Sequence, residues 1–106
     1  MNVYDIKDFK GGWLIGNFEP AILKTSNFEL GIHTYLAGHN GQKHYHVLSN
    51  EYNCIISGAV LVNNKKLGPG DIFVFEPYEI SDCQFLEDTT IIVARDFSDS
   101  NDKYLV

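Results

Sequence analysis

His44, His46 and Glu51, separated by one and four residues, are the side chains in this sequence best suited to do chemistry. His44 and His46 flank Tyr45 in a segment of β character, and residues two apart on a strand point to the same face. Two imidazoles then converge on one point, as a metal ion requires. Glu51 falls about where the chain re-enters the next strand. Two histidines and one carboxylate suit a divalent transition metal with coordination positions left open for substrate. Fe(II), Mn(II), Ni(II), Cu(II) and Zn(II) all accept such a set, and the sequence does not choose among them. Alternatively, His44 or His46 acts as a metal-free general base, or the histidines bind an organic ligand directly.

These residues need a rigid β framework to hold them. Apolar residues alternate or come in short runs cut by Gly, Asn, Asp and Pro, the pattern of an all-β chain. Strands are expected near 12–15, 20–25, 28–37, 44–48, 52–56, 59–62, 71–75, 80–85 and 90–95. Phe28, Leu30, Ile32, Thr34 and Leu36 alternate with period two, so one face of that strand is buried. Asn63-Asn64 before Lys65-Lys66, and Gly68-Pro69-Gly70-Asp71, read as turns. Nothing carries a helical apolar stripe, nothing repeats, and no linker divides the chain. The expectation is one domain over residues 1–106, a sandwich or small barrel. Its seven Phe, six Tyr and one Trp supply a large apolar filling.

Composition narrows the partners. The chain of 106 residues carries 14 acids against 8 bases, a net charge of −6. A polyanion is drawn mainly by positive charge, so neither nucleic acid nor an anionic membrane surface is an expected partner. Hydrophobic residues make up 44% of the chain, too many for a disordered segment. No apolar run is long enough for a membrane span and the N-terminus has no apolar signal core, so the expected compartment is the cytoplasm. There Cys54 and Cys83 read as buried free thiols.

Spacing then adds a resemblance. Gly38, five residues, His44, one residue, His46, four residues, Glu51, six residues and Gly58 resemble the first motif of the cupins without a gap. Gly68-Pro69-Gly70-Asp71-Ile72 resembles the turn that opens their second motif. The likeness covers roughly residues 30–95 and implies a cupin-type jelly-roll β-barrel with the ligand site inside, and His44, His46 and Glu51 as metal ligands. The second motif is degenerate. Its histidine, a fourth metal ligand in the family, falls at Ser81, its Asn at Phe85, and its Pro and Gly at Glu76 and Tyr78. Cys83 shares the expected face of Ser81 and is a possible soft ligand, whereas Asp82 should face outward.

Other residues read more plainly. His33 is expected to line the barrel or its core, and His39 to sit solvated in a Gly-Asn loop. Tyr35 and Tyr45 are packing residues, unless one lines the cavity and donates a proton. Trp13 belongs to the core. Glu76, Glu79, Asp82, Glu87 and Asp88 form a solvated face.

Three functions follow. The first is a small metal-dependent enzyme of dioxygenase or isomerase type. The second is a metal-free sugar-modifying cupin, like the nucleotide-sugar epimerases. The segment from Arg95 to Tyr104 also resembles small cupins encoded beside sugar-biosynthesis enzymes. A pyrophosphate wants arginine clamps, however, and this chain has only Arg95. The third is a non-catalytic module that binds a small ligand. Small cupins commonly dimerise through sheet edges, so a homodimer is expected, with residues 3–6 supplying an edge strand.

Overall fold

The computed structural model describes residues 1–106. Apart from two 3-10 turns, Ile6–Asp8 and Lys10–Gly12, its regular structure is β. The strands in chain order are β1 (Trp13–Gly16), β2 (Leu23–Lys24), β3 (Glu29–Tyr35), β4 (His44–Tyr45), β5 (Glu51–Ser57), β6 (Val60–Val62), β7 (Lys65–Leu67), β8 (Ile72–Phe75), β9 (Cys83–Phe85), β10 (Thr89–Arg95) and β11 (Tyr104–Leu105). One six-stranded sheet has the order β2-β1-β3-β10-β5-β8, and opposite it lie β7-β6-β9 and the pair β11-β4. His44 and Ser81 exchange backbone hydrogen bonds of 3.3 and 2.8 Å. That bridge ties β4 to the approach of β9, so the two smaller sheets act as one wall.

Alternation sets the inside. Along β10, Thr89, Ile91, Val93 and Arg95 are buried, and the residues between them are only half-buried. The core gathers Ile55, Phe75, Ile91 and Val93 from the large sheet and Val60, Val62 and Phe85 from the facing wall. Burying each such side chain contributes about 1.5–3 kcal/mol. The barrel is therefore sealed with apolar side chains in its middle, and the end at Arg95 is left for polar ones.

The turns follow their residues. Asn63 and Asn64 both take positive φ, 47° and 67°, and join β6 to β7. Asn reaches this left-handed region at lower cost than most residues. Lys65–Leu67 is thus a strand, beyond the turn expected there. Gly58 has φ 95°, and a Cβ at that position would come within 2.6 Å of the Thr89 Cα.

Several expected elements differ. Residues 3–6 form no strand. Asp5 accepts a 2.9 Å hydrogen bond from the Lys7 amide and caps the first 3-10 turn instead, so this segment supplies no sheet edge. The span 44–48 is a strand only at its first two residues, because the backbone then turns about Asp102. Within 20–25 only Leu23–Lys24 pairs, parallel to β1. Near the C-terminus, Tyr104 and Leu105 pair with Tyr45 and His44, a strand the sequence did not suggest.

Candidate metal centre

Inward-facing residues at the polar end of the large sheet form one cross-strand row, Glu29 on β3, Arg95 on β10 and Glu51 on β5. His44 reaches the same space from β4, and His46 from the turn just beyond it. The ligand atoms of His44, His46 and Glu51 all lie within 4.8 Å of one another. They border a cavity of about 440 Å³, lined also by Trp13, His33, Tyr35 and Cys83.

The backbone fixes how each imidazole is presented. His44 Nδ1 lies 2.6 Å from the Gln42 carbonyl oxygen. His46 Nδ1 makes a short hydrogen bond to the Asp102 carbonyl oxygen. A carbonyl only accepts, so each Nδ1 carries the proton and each Nε2 keeps its lone pair. This is the support that metal-binding histidines receive from their surroundings. Burial holds His46 below the ordinary histidine value, and the nearby Arg95 charge adds to that, while the Asp102 carbonyl opposes it. A neutral ring is the form that binds a metal.

Asp102 organises this end of the barrel. Its side chain is fully buried and its carboxylate accepts from the backbone amides of Val47 at 2.7 Å and Leu48 at 3.1 Å. Arg95 Nη2 donates to the Asp102 carboxylate at 2.8 Å, and Arg95 Nε donates to Ser49 Oγ at 2.8 Å. The remaining terminal nitrogen of Arg95 pairs with Glu29 at 2.8 Å. Each of the three guanidinium nitrogens therefore has a partner. Burial raises Glu29 above the ordinary carboxylate value. The attraction of Arg95 opposes this, and the charges of Glu51 and Asp102 add to it.

Glu29 and Asp102 thus share one guanidinium, and Glu51, across the strands from Arg95, has no ion-pair partner. An excess of negative charge of this kind calls for a further cation. The donor set and the charge both fit a divalent metal.

The degenerate position is occupied as expected in sequence but not in chemistry. Ser81 is buried beside His44, and its hydroxyl lies 3.6 Å from Cys83 Sγ. Burial pushes the Cys83 thiol up, and it does not join the three-residue cluster. Asp82 turns away from the cavity, and its backbone amide donates to Asn63 while its carboxylate lies 3.8 Å from Lys43.

His33 lines the cavity as anticipated. Its Nδ1 is 3.2 Å from the Tyr35 hydroxyl, and its ring meets Trp13 edge-on with centroids 4.5 Å apart. Its Nε2 is buried with no hydrogen-bond partner. Gly31 makes room for this arrangement, since a Cβ there would sit 2.6 Å from His33 Nε2 and 2.8 Å from Trp13. Tyr35 is held above the ordinary phenol value by burial and by the Glu51 charge, so it remains a proton donor. His39 is exposed, yet it stacks on Tyr35 at 5.4 Å. Glu29 and Asp102 carry no sequence motif of their own. A lone arginine closing an apolar strand was the one signal that acids must gather there.

No family model matches the sequence, and no curated protein matches it. Solved structures do. A protein with a double-stranded β-helix domain from Klebsiella pneumoniae aligns with a TM-score of 0.72 and 15% identity, over 98% of this chain and 90% of that one. KdgF from Halomonas sp. aligns at TM-score 0.61 and 22% identity, over 68% of this chain and 72% of that one. A salicylate 1,2-dioxygenase from Pseudaminobacter salicylatoxidans aligns at TM-score 0.59 and 22% identity, over 66% of this chain and 21% of that one. The aligned part is thus about a fifth of the dioxygenase's length.

Proposed function

This chain has the double-stranded β-helix fold of the cupins, and on that fold we propose that it holds a divalent transition metal between His44 Nε2, His46 Nε2 and the Glu51 carboxylate, and binds a small molecule over it. The observation that carries this reading is the pair of Nδ1-to-carbonyl hydrogen bonds, which leave both Nε2 lone pairs beside Glu51. A bound metal of this kind supplies Lewis-acid or redox chemistry at its open positions. Iron, manganese, nickel and zinc all suit the donors.

The ligand is small and carries no strong anion. Arg95 is already paired with Glu29 and Asp102, and Glu29 and Glu51 both line the cavity. Lys10 and Lys103 are exposed cations at its border. The unpartnered His33 Nε2 offers a hydrogen bond to a ligand oxygen, and Trp13 offers a flat apolar wall. A sugar-like or phenolic molecule meets these features, and a nucleotide does not. Nucleic acid and membrane are excluded from the reading by the net charge of −6. None of the helices is long and apolar enough to cross a membrane, and the reading places the chain in the cytoplasm.

A second reading keeps the cavity and drops the metal. Ser81 in place of a fourth ligand, and the hydrogen-bonded His33 and Tyr35, favour it. His44 or His46 then serves as base. Elemental analysis of untagged protein, before and after anaerobic loading with Fe(II), separates the two. Stoichiometric metal that is lost in a His44→Ala variant supports the first reading. Metal-free protein after loading overturns it in favour of the second.

A further inference from the structure

The cavity wall is rich in hydrogen-bond acceptors and poor in donors. Glu29 is only 6% exposed, and Arg95 holds one of its carboxylate oxygens at 2.8 Å. The other oxygen has no protein donor. Yet His33 Nε2 is the only buried side-chain nitrogen or oxygen left without a partner. The free oxygen of Glu29 is therefore reachable from the cavity that Glu29 lines. Asn53 repeats the arrangement one row inward on β5. It too is 6% exposed and lines the cavity, and its Nδ2 faces the Phe73 carbonyl oxygen at 3.5 Å. A carbonyl only accepts, so the amide oxygen is the atom left for the cavity. Each guanidinium nitrogen of Arg95 already has a partner, and the Tyr35 hydroxyl is shared with His33. A ligand must therefore bring the donors itself.

We propose that Glu29 and Asn53 determine specificity in this cavity, by accepting hydrogen bonds from at least two hydroxyls of a neutral, ring-shaped polyol. The inference rests on the metal-and-small-molecule reading above, and it chooses the polyol over the phenol. Charge supports that choice. Glu29 and Asp102 share one guanidinium and Glu51 has no ion-pair partner, so a divalent metal brings this end of the barrel to neutrality. A buried carboxylate is costly unless it is hydrogen-bonded, and hydroxyls complete the bonding of Glu29 without adding charge. A cationic amine upsets the balance and also meets Lys10 and Lys103 at the border. Spacing supports it as well. Glu29 shares a cross-strand row with Arg95 and Glu51, and Asn53 shares the next row with Val93 and Gly31. Strand spacing and rise put the two backbones about 12 Å apart, and the side chains reach inward from both. A single phenolic hydroxyl does not serve both acceptors, whereas hydroxyls placed around a six-membered ring do. Trp13 pairs with Gly31 at the end of the Asn53 row and lines the same cavity, so its indole offers a face to the C–H side of such a ring.

Saturation-transfer NMR on the zinc-loaded chain tests this, with D-glucose, myo-inositol, phenol and cadaverine as probes. At least one of the two polyols is expected to bind more tightly than phenol and cadaverine. Glu29→Gln keeps the side chain's shape and turns its free acceptor into a donor. It is expected to weaken polyol binding by about 10-fold or more, as loss of a hydrogen bond to a charged group does, and to leave phenol binding unchanged. Should that variant fail to fold, Asn53→Leu, which fills a similar volume without an acceptor, is expected to weaken the same polyol and not phenol. Circular dichroism reports the fold of each variant, and elemental analysis reports its zinc. Protein that takes up no zinc contradicts the metal reading itself, and the same variants then judge the two acceptors on the metal-free chain. Zinc-loaded protein that binds neither polyol, a preference for phenol or cadaverine, or polyol binding unchanged in the folded variants overturns the proposal.

Discussion

Asp102 shows how much a single residue carries here. Its carbonyl oxygen orients His46, and its carboxylate neutralises Arg95 and holds the amides of Val47 and Leu48. Removing one member of a buried ion pair leaves the other uncompensated, at a cost of about 3–5 kcal/mol. Asp102→Ala is therefore expected to lower stability by that amount in urea titration. It is also expected to weaken metal binding about 10–100-fold, as loss of a histidine's supporting contact does. An unchanged metal affinity in a folded variant contradicts the positioning role. Arg95→Ala should mimic the stability loss, since it strands Glu29 and Asp102 together. At His33 the expected outcome is different. His33→Phe fills the same space and removes the buried unpartnered Nε2, so it should leave metal content intact while weakening retention of hydroxylated ligands in a thermal-shift panel.

At the scale of elements, the C-terminal segment acts as a strap. After β10 it crosses the polar end of the barrel, buries Asp102, and returns as β11 beside β4. Truncation after Asn101 removes both anchors. The shortened chain is expected to lose metal binding and to melt well below the full chain, as read by scanning calorimetry. This element was not legible in the sequence. Residues 98–102 have the composition of a solvated tail, and Asp102 acquires its role only from Arg95, Val47 and His46, which lie elsewhere in the chain. The first motif was legible because it is local. A histidine pair two apart needs only a strand-like backbone to share a face, and β4 keeps that geometry for its two residues before the chain turns. The hairpin at Asn63-Asn64 was legible for the same reason. Residues 3–6 misled because apolar residues and a β-branched Val there resemble a strand, whereas the Asp5 cap and the glycines that follow bend the chain away. The alternation of Phe28, Leu30, Ile32, Thr34 and Leu36 misled as well: it marks the outer face of β3, with Phe28, Thr34 and Leu36 exposed, while Glu29, His33 and Tyr35 line the cavity, because the facing wall packs on the other side of the strand.

For the molecule as a whole, burial of histidine ties stability to pH. Burial lowers His33 below the ordinary value of 6.5, and His46 is lowered likewise, chiefly by burial. The unfolded chain therefore takes up these protons first as pH falls. Their contribution is present above the ordinary histidine value and is lost as pH falls towards the depressed folded values. Glu29, raised by burial, acts with the opposite sign above the ordinary carboxylate value. The clean reading is a difference. Between about pH 7.5 and 5.5, metal-free wild type should lose more stability than His33→Phe does, and equal slopes in denaturant melts contradict the assignment. Within this frame, the same barrel that is sealed by Ile55, Val60 and Val93 in its middle opens at one end onto His44, His46 and Glu51. X-ray absorption of the zinc-loaded protein examines that centre most directly. The expected spectrum has a first shell of nitrogen and oxygen at about 2.0–2.2 Å with the multiple scattering of two imidazoles and no sulfur. A sulfur shell near about 2.3 Å, from Cys83, or a spectrum without imidazole, contradicts it.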